Sequence, residues 1–312
     1  MARCFVFPGQ GSQTVGMGKA LAAAFPASRE VFQEVDDALG RKLSRLMWEG
    51  PPEELNLTVN AQPALMAHSM AMVRVLEKDA KVDFADALFF AGHSLGEYSA
   101  LCAARAMSIA DTARLLTVRG QAMQAAVPEG AGAMAALLGL DISGAEKAIA
   151  DTAATLGVCE IANDNAPGQV VISGSKLRVE AAVEAAKKHG AKMAKLLAVS
   201  APFHCSLMVP AAEAMARALA NAALVTPAVP IVANVTARPA DAPSEIRELL
   251  VSQVTGRVRW TESIDFMARA GGDKFIEIGS GKILAGLIKR IAKEAAIISL
   301  GEPGDIDSFA RF

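Results

Sequence analysis

Aromatic side chains are scarce in this sequence, at 5% of 312 residues, with one Tyr and two Trp. Strand-only architectures lean on aromatic and β-branched residues, so this scarcity argues against an all-β design. Charge of one sign is also missing. The net charge is −2, with no long acidic or basic run, which leaves no electrostatic footprint for a nucleic acid. No apolar run approaches the roughly 18 residues of a membrane span. The opening MARCFVFPGQG has too short an apolar stretch for a signal peptide. The four cysteines, Cys4, Cys102, Cys159 and Cys205, are scattered without a CxxC pair. That spacing offers neither a disulfide framework nor a zinc site and reads as reduced, buried thiols in a cytoplasmic protein. What is abundant is apolar matter. Hydrophobic residues reach 52% against 21% charged, enough for a packed core and the opposite of disorder. Ala, Leu, Val and Met carry this content, which favours helices.

The length allows one large domain or two moderate ones. Arg3–Phe7 reads as a strand, followed by helical patterns over Ala20–Leu39 and Gln62–Lys78. Ala87–Gly92 reads as a buried strand, and Leu95–Ala104 and Ile109–Ala125 as helices. Val229–Asn234 and Lys274–Ile278 read as further strands, each followed by a turn and a helix. This alternation predicts an α/β fold with a parallel sheet covered on both faces. The middle departs from it. Ala131–Leu140 reads as a strand, and Ser143 with Glu146 as a capping box opening a helix to about Leu156. Val158–Asn163 and Gln169–Ser173 read as two strands. Ser175 reads as the cap of a helix ending at Gly190, and Ala191–Ala198 as a last strand. The order βαββαβ is that of a ferredoxin-like unit. Residues 128–198 are therefore expected to form an inserted domain, with 1–127 and 199–312 forming the main one.

Two glycine loops imitate phosphate loops. In Gly9-Gln10-Gly11 the dinucleotide pattern fails because Thr14 stands where its third glycine belongs. In Gly279-Ser280-Gly281-Lys282 the Walker pattern fails at Ile276 and Ile283. Both read as structural turns.

The most informative stretch is Gly92-His93-Ser94-Leu95-Gly96, a G-x-S-x-G between an apolar strand and a helix. In such an elbow the turn is so tight that flanking side chains would collide, and glycines remove the collision. Ser94 is then lifted above the sheet as a nucleophile, and the Leu95 amide, at a helix N-terminus, points to where an oxyanion would form. The serine needs a base, and there are four histidines. His68 lies in a helical run and reads as a core residue. His93 adjoins Ser94, but its side chain is expected to point away. His189 closes a helix. His204 follows Ser200-Ala201-Pro202-Phe203, where the chain leaves the inserted domain, and is the preferred base, with His93 second. The neighbouring Cys205 reads as a packed thiol. No acid between Ser94 and His204 qualifies as a third member; a main-chain carbonyl is the alternative.

Taken together, these stretches resemble the malonyl-CoA:acyl carrier protein transacylases. The matching segments are Phe7-Pro8-Gly9-Gln10-Gly11-Ser12-Gln13, Gly92–Tyr98, Arg119-Gly120, Asn165-Ala166-Pro167-Gly168-Gln169, Pro202-Phe203-His204, Asn234-Val235-Thr236 and Glu277-Ile278-Gly279. They span nearly the whole chain. Ser280 departs from the pattern, standing where relatives often carry proline. The resemblance implies an α/β-hydrolase-like domain with a ferredoxin-like insert, a Ser94 that is acylated, and His204 as its base. It further implies that Gln253 orients His204 through its main-chain carbonyl, that the oxyanion hole pairs the amides of Gln10 and Leu95, and that Arg119 grips the malonyl carboxylate. Asn165 is implied among the substrate contacts.

On its own residues Arg119 reads as an exposed helix charge; malonate chemistry favours a bidentate guanidinium instead. Met123, a turn further on, reads equally as pocket wall or plain core. Phe203 would crowd a substituent on malonyl C2. The implied substrates are malonyl-CoA, a coenzyme A thioester, and the phosphopantetheine thiol of acyl carrier protein. No metal or cofactor is needed, and the protein is expected to be a cytoplasmic monomer. Lys192, Lys195, Lys289 and Arg290 are candidates for steering an acidic carrier, although surface solvation explains them as well. The rivals are a serine thioesterase or other hydrolase, a catalytically silent docking subunit, and a polyketide-type acyltransferase with another extender unit.

Overall fold

The structure, a computed structural model, describes residues 2–312; Met1, the first residue of the expected 1–127 segment, lies outside them. Among the described residues ten strands form two sheets: β1 (Ala2–Phe7), β2 (Phe89–Gly92), β3 (Gly132–Leu138), β4 (Cys159–Ala166), β5 (Gln169–Ser175), β6 (Met193–Leu196), β7 (Ile231–Val232), β8 (Pro239–Ala240), β9 (Gly272–Ile278) and β10 (Ala296–Leu300). The larger sheet runs β10-β9-β1-β2-β7-β8. It is parallel except for the short antiparallel edge β8. Its central strands are buried, and Phe5, Phe7 and Phe90 pack edge to face between sheet and helices. Burial on both faces explains why these strands are continuous apolar runs rather than alternating ones.

The smaller sheet, β4-β5-β3-β6, is antiparallel. The helices Ile142–Ala150 and Lys176–Lys188 pack on it around Leu137, Ile172 and Val179, a core of its own. Hydrogen bonds at several points join it to the rest, among them two groups. Asp164 N–H donates to Val258 O at 2.9 Å and Val258 N–H to Ala162 O at 2.8 Å. Arg290 donates to Gln169 Oε1 at 2.7 Å and also to Pro167 O.

Several local expectations need correction. The expected helix Ala20–Leu39 is two helices, Lys19–Ala24 and Pro26–Leu39. Pro26 cannot donate to the preceding turn, so it opens a helix instead of continuing one. The expected capping box is not formed: Asp141 Oδ1 accepts from Gly144 N–H at 2.8 Å, and the helix ends at Ala150. Ser175 sits at an N-cap, but its hydroxyl accepts from Val158 N–H at 3.0 Å, tying β5 to the start of β4. Among the described residues no helix is long and apolar enough to cross a membrane.

Candidate active site

Because β1 and β2 are parallel neighbours with Phe7 beside Gly92, the loops after both strands emerge at the same edge of the sheet. The chain turns there through His93 and Ser94 into the helix Gly96–Ala103. A Cβ on Gly92 would lie 1.9 Å from the Gly96 carbonyl, and one on Gly96 would lie 2.2 Å from Phe7 O. Neither position admits a side chain. Ser94 itself has φ 53°, a left-handed conformation that costs a non-glycine residue about 1–2 kcal/mol. The turn is held by Asn234: its Oδ1 accepts from Ser94 N–H at 2.8 Å, and its Nδ2 donates to Gly92 O at 2.7 Å.

His204 lies 110 residues further along the chain, and its Nε2 is 2.8 Å from Ser94 Oγ. The opposite nitrogen, Nδ1, faces two carbonyls, Gln253 O at 2.9 Å and Gly256 O at 3.1 Å. Carbonyls only accept, so Nδ1 carries the proton and Nε2 presents its lone pair to the serine hydroxyl. Burial, then the nearby Arg119 charge, push the imidazole down to about 3. It is therefore neutral at neutral pH, in the form a base requires.

Arg119 is only 1% exposed, which corrects the reading of an exposed helix charge. Its Nη1 donates to Gln62 Oε1 at 2.9 Å; its Nη2 donates to Gln253 Oε1 at 2.8 Å and to Ser94 Oγ at 3.2 Å. Its Nε has no acceptor among the described residues. Gly120 permits this depth, since a Cβ there would meet Val59 Cα at 2.6 Å. Gln253 thus does two things: its carbonyl holds the histidine and its side chain holds the arginine. Its Nε2 donates in turn to Ser94 O at 3.0 Å and Glu97 Oε2 at 2.8 Å. Burial pushes the Glu97 carboxyl up to about 7, against the lowering pull of its hydrogen bonds and Arg119.

Gln10 turns its side chain away to Thr58 Oγ1 at 3.2 Å. Among the described residues the N–H groups of Gln10 and Leu95 have no protein acceptor, whereas that of Ser94 is taken by Asn234. Ser94, His204, Gln10, Phe203 and Asn165 all line one cavity of about 410 Å³, together with Met134 and Val171 of the small sheet. A larger hollow of about 790 Å³ beside the Pro26–Leu39 helix is an open surface groove with no nucleophile. Asn165 Oδ1 is 2.8 Å from His93 Nε2, so His93 points away from Ser94 and orients an asparagine. Met123 is not on the cavity wall. It is buried and meets Gln62 Nε2 through sulfur at 3.7 Å, a core role. The remaining histidines stand apart, His68 against Gly301 O and His189 against Asp151. Cys205 is a buried thiol pushed up to about 11 by burial. Asn234, Glu97, Gln62 and Gly256 received no role from the sequence. Only the polar residues among them, buried within apolar surroundings, carried any signal.

A serine on a strained elbow, a neutral histidine touching it and two free amides beside it define a serine acyl-transfer centre. The chain belongs to the acyl transferase domain family, whose model matches residues 4–301. It is 48% identical over 299 residues to the malonyl CoA-acyl carrier protein transacylase of Escherichia coli (strain K12), with 96% of each chain covered. Among solved structures it superposes on the acyl-carrier-protein-S-malonyltransferase of Bartonella henselae with a TM-score of 0.97. That pair is 54% identical, with 100% and 99% of the two chains covered. A malonyl-transacylase solved in complex with its type II PKS acyl-carrier protein matches with a TM-score of 0.95 at 42% identity, covering 99% of this chain and 98% of that one.

Proposed function

We propose that this enzyme transfers a malonyl group from malonyl-CoA to the phosphopantetheine thiol of acyl carrier protein, through a malonyl ester on Ser94. The observation that carries the reading is the 2.8 Å contact between Ser94 Oγ and His204 Nε2. In the first half-reaction Nε2 takes the hydroxyl proton while Oγ attacks the thioester carbonyl. The oxyanion falls between the N–H groups of Gln10 and Leu95, which are preorganised for it. The C–S bond then breaks, and the departing thiolate takes the proton from His204. In the second half the carrier thiol gives its proton to His204 and attacks the ester; Ser94 leaves and recovers that proton. This is ping-pong chemistry and requires no metal or redox cofactor.

Arg119 is the residue we assign to the malonyl carboxylate. It is a buried guanidinium within reach of the nucleophile, with one donor unclaimed. Phe203, on the cavity wall beside the base, would oppose a substituent at C2. Asn165, held by His93, offers an amide to the incoming pantetheine. We further infer that it works as a cytoplasmic monomer in fatty acid biosynthesis.

The test is direct. Intact mass after brief exposure to malonyl-CoA should rise by one malonyl group in the wild type and not in Ser94→Ala, and adding holo carrier protein should discharge the adduct onto the carrier. Release of free malonate with no malonyl-carrier would instead make the protein a thioesterase.

A further inference from the structure

The elbow's strain must be resisted by something, and the glycines do not do it: they remove clashes but hold nothing. Asn234 does. It is fully buried just beyond β7. Its amide reaches both sides of the turn, accepting from Ser94 N–H and donating to Gly92 O. A peptide group of a neighbouring strand would make the same pair of bonds, so the side chain continues the sheet where the backbone leaves it. Its own N–H is held at 3.0 Å by Glu97 Oε2, and its carbonyl accepts from Arg259 N–H at 2.9 Å. Because Oδ1 claims Ser94 N–H, that amide is withdrawn from the oxyanion hole, leaving those of Leu95 and Gln10.

We propose that Asn234, braced by Glu97, is the positioning residue that holds Ser94 in its left-handed conformation and so keeps its hydroxyl against His204. The proposal rests on the reading of Ser94 as the nucleophile. It requires an acceptor and a donor on the same side chain. An aspartate in place of Asn234 can supply both only when protonated: its C=O to Ser94 N–H and its O–H to Gly92 O. Once ionised, that carboxylate would face Gly92 O with no proton. The groups packed around this point are Glu97, Gln253 and, beyond it, Arg119, with His204 against Ser94, His93 beside it in the turn, and Arg259, paired with Glu262, against Val235 O. The nearest of these, Glu97, is an acid, and it resists ionisation of a second one.

The experiment is the rate of malonyl adduct formation on Asn234→Asp, Asn234→Ala and wild type between pH 5.5 and 8.5, with thermal melts at each pH. Because the Glu97 carboxyl sits at about 7, inside this window, each variant's rate is read as a ratio to the wild-type rate at the same pH. Asn234→Asp should approach the wild-type rate at pH 5.5 and fall by about tenfold or more towards pH 8.5, the factor expected from one orphaned buried carbonyl. Asn234→Ala should be slow throughout. The proposal is overturned if Asn234→Asp keeps the wild-type pH profile, or if both variants lose rate only in step with their melting temperatures. If the wild type itself forms no adduct, the nucleophile reading fails first; if it does and Asn234→Asp is indifferent to pH, only this proposal fails.

Discussion

On the large-sheet side of the cavity, Ser94 and His204 stand on the wall and are joined to the buried Gln253, Arg119 and Glu97 behind it by hydrogen bonds of 2.8–3.2 Å. The wall contributed by the small sheet offers Met134 and Val171, with Asn165 steadied by His93. One wall is a connected polar network, buried and therefore costly to leave incomplete. The other is an apolar surface with an amide set in it, whose parts act separately. The difference teaches that loss of one network member should spread through its neighbours, whereas changes on the opposite wall should act mainly on binding.

Three measurements break or sharpen that contrast. The largest effect is expected from His204→Ala, which removes the base and should slow Ser94 acylation by about 10²–10⁴-fold with little change in apparent substrate affinity. A loss of tenfold or less would detach His204 from the chemistry. Next, Arg119→Ala should lower malonyl transfer relative to acetyl by about 10–100-fold, the worth of a charge-assisted pair. Equal losses for both thioesters would reject the carboxylate role. The smallest is a shift in pH dependence. Since His204 sits at about 3, acylation should persist well below the ordinary histidine range and fail only as the imidazole protonates. Arg119 is one cause of the lowering, so in Arg119→Ala the imidazolium is less disfavoured and the acid limb should move up. A limb unmoved, measured with acetyl-CoA, would show that burial alone sets it.

Much of this is legible in the chain alone. The elbow is a local pattern, and its glycines announce a collision that Gly92 and Gly96 then display. His204 is reached by elimination among four histidines and by its place at the exit from the insert. Gln253 is not, because any residue supplies a carbonyl; only the family resemblance points to it. Gly256, the second acceptor, is invisible for the same reason. Asn234 and Glu97 meet across 137 positions, a separation no periodicity reports. Local misreadings have local causes. Asp141 outcompetes Ser143 as a cap, and Pro26 splits the expected helix Ala20–Leu39 in two.

The imidazole of His204 leans on two carbonyls rather than on a carboxylate. A carbonyl steadies the ring with a partial charge and gives little help to the cation formed when a proton arrives. The base is correspondingly mild. A thiol, ionising near 8.5, can be activated by such a base far more readily than water, which ionises near 15.7. The choice between passing the acyl group on and wasting it to solvent is therefore written partly into what stands behind the ring, several ångströms from the bond that breaks.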